Sequence, residues 1–303
     1  MILCCGESLI DMLPRAATTG EPAFTPVAGG SVFNTAIALG RLGAPAGYLG
    51  GLSTDLFGQV LWDALAASQV DASLAPRSAR PTTLAFVTLT DGQAQYAFYD
   101  ENTAGRMLTE ADLPDLPEQV EALFFGGISL VSEPGADSYA TLCARAGERL
   151  VMMDPNIRPG FVRDEARYRA RLADMLGRAD IVKISDEDMQ WLGTSPAALI
   201  DGGAALVLET RGADGVVAVS AQGEMAVPAR KAQVVDTVGA GDTFNAGLLA
   251  GLSRAGLLSR GAVRAASLQD LRPAVMLGAA AAAVTVSRAG ANPPWDSELG
   301  GNA

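Results

Sequence analysis

From residue 120 onward, short apolar runs rich in β-formers alternate with helical patterns, and this rhythm restricts the fold more than any other feature. Strand-like runs at Ala122 to Gly126, Leu150 to Asp154, Asp180 to Ile184 and Ala204 to Glu209 alternate with helical patterns. Those patterns fall at Ser138 to Arg149, Glu165 to Arg178 and Glu187 to Leu192. Short apolar strands separated by helices imply an α/β fold, a mostly parallel sheet flanked by helices. Earlier in the chain, Met1 to Gly6 and Ala46 to Gly51 read as strands, Ser31 to Leu42 and Phe57 to Ser68 as helices. In such a sheet, ligands bind outside the carboxyl ends of the strands.

Two regions break the rhythm. Leu13 to Ala28 is rich in turn residues, and Thr82 to Tyr99 reads as a hairpin of Leu84 to Thr90 with Ala94 to Tyr99, turning at Asp91-Gly92. Either they form a small antiparallel sheet projecting from the main body, or they are a pair of surface excursions. No internal repeat, linker or charged tail interrupts the rest, and Asp296 to Ala303 is expected to be a loose terminus.

A chain of 303 residues buries about three quarters of its unfolded surface and needs neither disulfide nor metal to fold. Its net charge of −12 argues against a nucleic-acid or anionic-membrane partner, which calls for clustered cations. It contains no histidine, which removes imidazole bases, Ser-His-Asp catalysis and His-ligated zinc together. Cys4, Cys5 and Cys143 lack metal-site spacing and read as core residues of a protein in the reducing cytosol. Polar Gly6-Glu7-Ser8 interrupts the first apolar run, and Ala274 to Val286 is too short to span a bilayer, so a soluble cytoplasmic protein is expected.

The most informative string is Asp236-Thr237-Val238-Gly239-Ala240-Gly241-Asp242-Thr243-Phe244, which opens an alanine- and leucine-rich helical pattern from Thr243 to Leu252. Glycines let the backbone approach a ligand, and a helix N-terminus offers free N–H groups and positive potential, a natural seat for phosphate. A carboxylate in the first turn beside that seat suits removal of a proton from an attacking alcohol. A tight turn with a capping aspartate explains a bare Gly-x-Gly-Asp equally well; the whole nine-residue string is more specific. It closely resembles the C-terminal signature of the ribokinase-like (PfkB) carbohydrate kinases.

A second string supports the resemblance. Gly6-Glu7-Ser8-Leu9-Ile10-Asp11, then Ala28-Gly29-Gly30-Ser31-Val32-Phe33-Asn34-Thr35-Ala36 and Gly40-Arg41-Leu42-Gly43, is similar to the family's N-terminal sugar-binding signature. The resemblance implies one ribokinase-like domain over residues 1–303, with a β-sheet lid built from segments at about 12–28 and 82–104. It implies that Asp11 and Asn34 bind sugar hydroxyls, that Gly29 and Gly30 let the backbone approach the ring, and that Phe98 and Asn102 are lid contacts. Asp154-Pro155-Asn156-Ile157-Arg158 resembles the segment whose arginine faces the active site, so Arg158 is a candidate for the substrate and the transferring phosphoryl group. Without the family, the same residues read as a turn with a solvated arginine.

For ATP, the resemblance points to Lys183, Ser185, Thr210, Gly212, Gly215, Gly239, Gly241 and Ala282. Ser185 and Asp188 fall where many members carry Asn-x-x-Glu, linked to Mg2+ and phosphate; a capping Ser185 accounts for the same residues. Asp236, with the carbonyls of Val238, Arg288 and Gly290, loosely matches a site for K+. No Gly-x-x-x-x-Gly-Lys-[Ser/Thr] occurs, so a P-loop kinase is excluded.

The implied reaction moves the γ-phosphate of Mg-ATP to a sugar hydroxyl, with Asp242 as base and the N–H groups of Gly239, Ala240 and Gly241 as anion hole. The helix dipole is expected to lower the Asp242 pKa. Within the family the chain looks most like bacterial fructokinases, on Gly-Glu-Ser-Leu-Ile-Asp-Met-Leu-Pro and Glu-Asn-Thr-Ala. The alternative is 2-keto-3-deoxygluconate kinase, whose acid substrate needs a further cation, Arg106; nucleoside kinases rank third. A non-catalytic sugar or nucleotide-binding protein on this fold would be expected to lack the base, and Asp242 is present. Similar proteins form homodimers through lid strands, which is expected here as one option for masking strand edges.

Overall fold

The computed structural model describes residues 1–90 and 93–300. The chain begins with β1 (Ile2–Cys5), β2 (Leu9–Ala16), β3 (Pro22–Gly29), α1 (Ser31–Arg41), β4 (Ala46–Leu49), β5 (Leu52–Ser53) and α2 (Leu56–Ala67). It continues through β6 (Arg77–Ser78), β7 (Leu84–Thr90), β8 (Gln93–Tyr99), β9 (Ala122–Gly126), α3 (Gly135–Ala144), β10 (Leu150–Asp154) and α4 (Glu165–Leu176). Then come β11 (Ile181–Ser185), α5 (Asp186–Leu192), α6 (Pro196–Asp201), β12 (Leu206–Thr210), β13 (Val216–Ser220) and β14 (Gly223–Val227). Helices α7 (Ala240–Arg254), α8 (Arg260–Ala265) and α9 (Leu268–Val286) close the chain.

An eight-stranded sheet runs β14-β13-β12-β11-β10-β9-β1-β4, parallel from β12 to β4. Successive side chains of a strand point to opposite faces. Ile2, Cys4, Phe124, Met152 and Ile181 therefore pack on one face with Leu39 of α1, Leu248 of α7 and Leu271 of α9. Leu3, Cys5, Phe125, Met153 and Val182 pack on the other with Leu142 of α3 and Leu172 of α4. Burial on both faces explains why these strands read as apolar throughout. Cys4, Cys5 and Cys143 are buried free thiols, in agreement with a core role.

The two irregular regions meet as a separate four-stranded sheet, β3-β2-β7-β8. It is mixed, which corrects the expected antiparallel arrangement. Strands β2 and β7 run parallel, Ile10 opposite Leu84, because both leave the main body from the same edge. Each then pairs antiparallel with its own successor, β3 or β8. The turn expected at Asp91-Gly92 lies outside the described residues. Sequence reading also missed the antiparallel edge formed by β13 and β14. The terminus is not loose over Asp296–Glu298: this 3-10 turn is tied by Arg254 to Asp296 at 2.5 Å and by Arg288 to Glu298 at 2.6 Å.

Helices α7 and α9 approach closely because glycines line their contact. A Cβ on Gly251 would stand 2.5 Å from the Cα of Ala274, and one on Gly247 would stand 2.6 Å from the Cα of Gly278. Gly251→Ala gains up to about 1 kcal/mol of helix propensity but adds an atom where backbone stands. The net loss is expected to be about 1–3 kcal/mol, read as a lower urea midpoint; an unchanged or raised midpoint would show that the helices can part freely.

Candidate active site

Two helix N-termini converge on one carboxylate. Helix α7 starts after Gly239, which is left-handed at φ 76° and whose Cβ would stand 2.7 Å from that of Ala291. Only glycine suits both demands. Asp242 therefore lies in the first turn, as the sequence implied. Helix α1 starts after Gly30, at φ 107° and against the carbonyl of Glu7. From α1, Ser31 Oγ donates to Asp242 Oδ1 at 2.9 Å and Asn34 Nδ2 to Oδ2 at 3.0 Å. Thr35 Oγ1 donates to the Asp242 carbonyl at 3.3 Å.

Asp242 is 8% exposed. Burial pushes its pKa up to about 6, and the nearby Asp154 adds to the rise, against the Asn34 and Ser31 donors and Lys183, which pull it down. This corrects the expectation of a lowered value: desolvation outweighs the favourable groups around it.

Beneath the α7 turn lies a buried ion pair, Lys183 Nζ to Asp154 Oδ2 at 3.0 Å, joined by Asn245 Nδ2 at 2.7 Å from the same oxygen. A Cβ on Gly241 would stand 3.2 Å from Lys183 Nζ, so the cation sits directly under the predicted anion seat. Asp154 Oδ1 and Asn245 Oδ1 are buried without a hydrogen-bond partner. Ser185 caps α5, accepting from the Asp188 N–H, and Asp188 Oδ1 accepts from the Ile157 N–H at 2.9 Å. These two residues brace the loop that carries Arg158, and burial raises the Asp188 pKa.

No cluster of three His, Cys, Asp or Glu side chains fit to hold a metal occurs among the described residues. A magnesium ion at this site would have to arrive with a nucleotide and keep its own waters, since the unpartnered Asp154 Oδ1 is buried. Both Asp236 oxygens are engaged, accepting from the N–H groups of Val238 at 3.0 Å and Gly290 at 2.9 Å. Asp236 thus ties the α7 approach loop to the segment after α9.

A cavity of about 720 Å³ opens beside Ser31, with Asp11, Gly30, Phe98 and Arg158 in its wall. Burial raises the Asp11 pKa to about 6. A Cβ at Gly29 would stand 2.3 Å from Asp11 Oδ2, so a larger residue there would displace that carboxylate. Phe98 packs edge-on against Phe161 at 4.4 Å. Arg106 also lines the cavity, paired with Asp100 at 2.9 Å and donating to the Glu133 carbonyl. Asn102 does not reach the cavity; it is exposed, in a left-handed turn at φ 58°. Thr210 pairs in register with Ser185 at the carboxyl edge of the sheet, followed by the turn of Gly212 and Gly215 at φ 54° and 96°. Ala282 is half-buried on α9. None of Thr210, Gly212, Gly215 and Ala282 lines the cavity.

Residues 1–298 match the family described as pfkB family carbohydrate kinase. The chain is 50% identical over 279 residues to a fructokinase of Rhizobium leguminosarum bv. trifolii, covering 90% of this chain and 86% of the relative. The structure superposes on fructokinase with bound ATP from Xylella fastidiosa with a TM-score of 0.88 and 29% identity, over 98% of this chain and 96% of that one. It superposes on a Vibrio cholerae O395 fructokinase in fructose-, ADP- and calcium-bound form with a TM-score of 0.82 and 25% identity, over 96% and 94%. The fold and paired helix termini define a ribokinase-like α/β carbohydrate kinase. The chain belongs to the pfkB family.

Sequence reading missed Glu7, Asp154, Asn156 and Asn245 as parts of this centre. Asn156 Nδ2 donates to Ser31 Oγ at 3.0 Å, completing the chain of donors to Asp242. Asp154 ends a fully apolar strand at the sheet's ligand edge, and Asn245 follows Asp242 by three residues on one helix face; both signals were present. In Asn34→Ala, the Asp242 carboxyl loses a donor that favours its charged form. Its carboxyl carbon resonance should then titrate above the wild-type value near 6; an equal or lower midpoint would mean that Asn34 does not govern it.

Proposed function

We propose that this protein is an ATP-dependent fructokinase in which Asp242 is the base and the N–H groups of Gly239, Ala240 and Gly241 form the anion hole, the Ala240 N–H leaving the Thr237 carbonyl to which it donates at 3.3 Å. The observation that carries the assignment is the buried Asp242 carboxylate, held by Ser31, which lines the cavity, and by Asn34. A fructose hydroxyl oxygen attacks the γ-phosphorus, the bond to the β–γ bridging oxygen breaks, ADP leaves and the hydroxyl proton passes to Asp242. The positive ends of α7 and Lys183 meet the charge on the transferring group, and Arg158 reaches it from the cavity side. Magnesium, when bound with the nucleotide, screens the phosphate charges.

Asp11 and Gly30 offer acceptors and close backbone to a polyol. The mixed sheet β3-β2-β7-β8 serves as a lid that brings Phe98 over the sugar and excludes water. Arg106 is already neutralised by Asp100, which favours an uncharged sugar over 2-keto-3-deoxygluconate. The relatives named fructokinases support the same choice.

ADP release is measured with Mg-ATP and fructose, other hexoses, 2-keto-3-deoxygluconate, ribose and adenosine, in wild type beside Asp242→Ala. Turnover is expected with fructose and should fall by at least about 10²-fold in the variant. Turnover confined to the keto-acid would move Arg106 into the site, and an active Asp242→Ala would remove the base assignment.

We further assign a homodimer contact to the outer face of the lid sheet. Phe24 and Tyr99 are 42% and 62% exposed there, and both stack edge-on with Phe86 at 5.0 and 5.5 Å. Sedimentation should show a dimer that Phe24→Lys dissociates; a monomeric wild type would refute the contact.

A further inference from the structure

Ser31 orients Asp242, and Ser31 is in turn held by Glu7, which lines the same 720 Å³ cavity. Glu7 follows β1 by two residues, its half-buried side chain lying between the start of α1 and the turn after β9. Its Oε1 accepts from the Ser31 backbone N–H at 2.9 Å and its Oε2 from the Ser129 N–H at 3.3 Å. The Glu7 carbonyl accepts in addition from the Phe33 N–H at 3.2 Å. The fit is tight: a Cβ on Gly127 would stand 2.3 Å from Glu7 Oε1, and one on Gly30 would stand 2.9 Å from the Glu7 carbonyl oxygen.

We propose that Glu7 is a positioning residue for phosphoryl transfer, fixing the first turn of α1 so that Ser31 and Asn34 aim the Asp242 carboxylate. The assignment rests on Asp242 being the base. Three links make the chain: Glu7 to the Ser31 N–H, Ser31 Oγ to Asp242 Oδ1, and Asn34, one turn further along α1, to Asp242 Oδ2.

A carboxylate is required because both of its oxygens face backbone N–H groups. Glutamine presents one acceptor and one donor, so one N–H would be left facing its NH₂ group. Aspartate is one methylene too short to span the two donors. On its far side Glu7 borders a second cavity of about 20 Å³, lined also by Ser8 and Tyr139. The Tyr139 hydroxyl is buried without a partner, and the space suits one water. That water would solvate a carboxylate whose pKa burial otherwise pushes up to about 7. The Asp100–Arg106 pair borders the same cavity, so the lid segment and the Asp242 support share one polar pocket.

The test compares Glu7→Gln, Glu7→Asp, Ser31→Ala and the double variant Glu7→Gln/Ser31→Ala with wild type and Asp242→Ala in steady-state kinetics. Misplacement of a base by about 1 Å costs roughly 10²-fold. Each folded single variant should therefore lose kcat by about 10- to 100-fold while KM for the sugar stays within about threefold of wild type. The double variant should be no slower than the slower single, because both act through the same contact. Wild-type kcat in either folded Glu7 variant, or losses that multiply in the double, would overturn the proposal. If instead Asp242→Ala keeps its activity, the base assignment fails first, which separates the two ideas.

Discussion

One carboxylate, Asp242, holds together the two ends of the chain. Its bonds to Ser31 and Asn34 cross more than 200 residues of sequence, and they set the N-terminus of α1 against that of α7. Two positive helix ends repel each other; an anion between them satisfies both. Packing fixes the same geometry from behind, since the glycines of α7 and α9 let those helices meet backbone to backbone. The start of α7 is therefore as firmly placed as the core it grows from.

The protein as a whole carries −12, yet the seat needs a positive field. Local arrangement supplies it. Lys183 is one of two lysines in the chain, and it is buried under Gly241 with Asp154 as its partner. Asp154 fixes the direction of the ammonium, and Asn245 from α7 bonds to the same oxygen. The pair links β10, β11 and α7, so the charge beneath the seat moves only when the sheet edge and the helix move together.

Much of this was legible in the chain. Apolar strands on a regular spacing gave the buried sheet, and the glycine-flanked string gave the α7 turn, because both depend on local pattern. What stayed hidden depends on partners far away in sequence. The Asp242 pKa was expected to fall because the dipole is visible in a motif, whereas the desolvation that raises it comes from distant elements. Asn34 was read as a sugar ligand; that its amide also donates to Asp242, more than 200 residues away, was not legible. Asn102 was placed by family analogy in the substrate contacts; its left-handed backbone, at φ 58°, was not signalled by the sequence. No α-helix separates β12, β13 and β14, so these strands break the βα rhythm, and their antiparallel pairing is set by the open edge of β12.

The raised Asp242 pKa bears on how the centre works. A carboxylate at its ordinary value is a poor proton acceptor from an alcohol, and general-base efficiency improves as the pKa approaches the working pH. Deeper burial alone would overshoot and leave the group protonated. Ser31 and Asn34 counter the desolvation with two donors, and Lys183 adds charge from below, so the value settles near 6. The group is then ionised at neutral pH yet more basic than a surface aspartate. Desolvation and hydrogen bonding thus act in opposition on one residue, and the balance depends on Ser31 staying where Glu7 and Asn156 hold it.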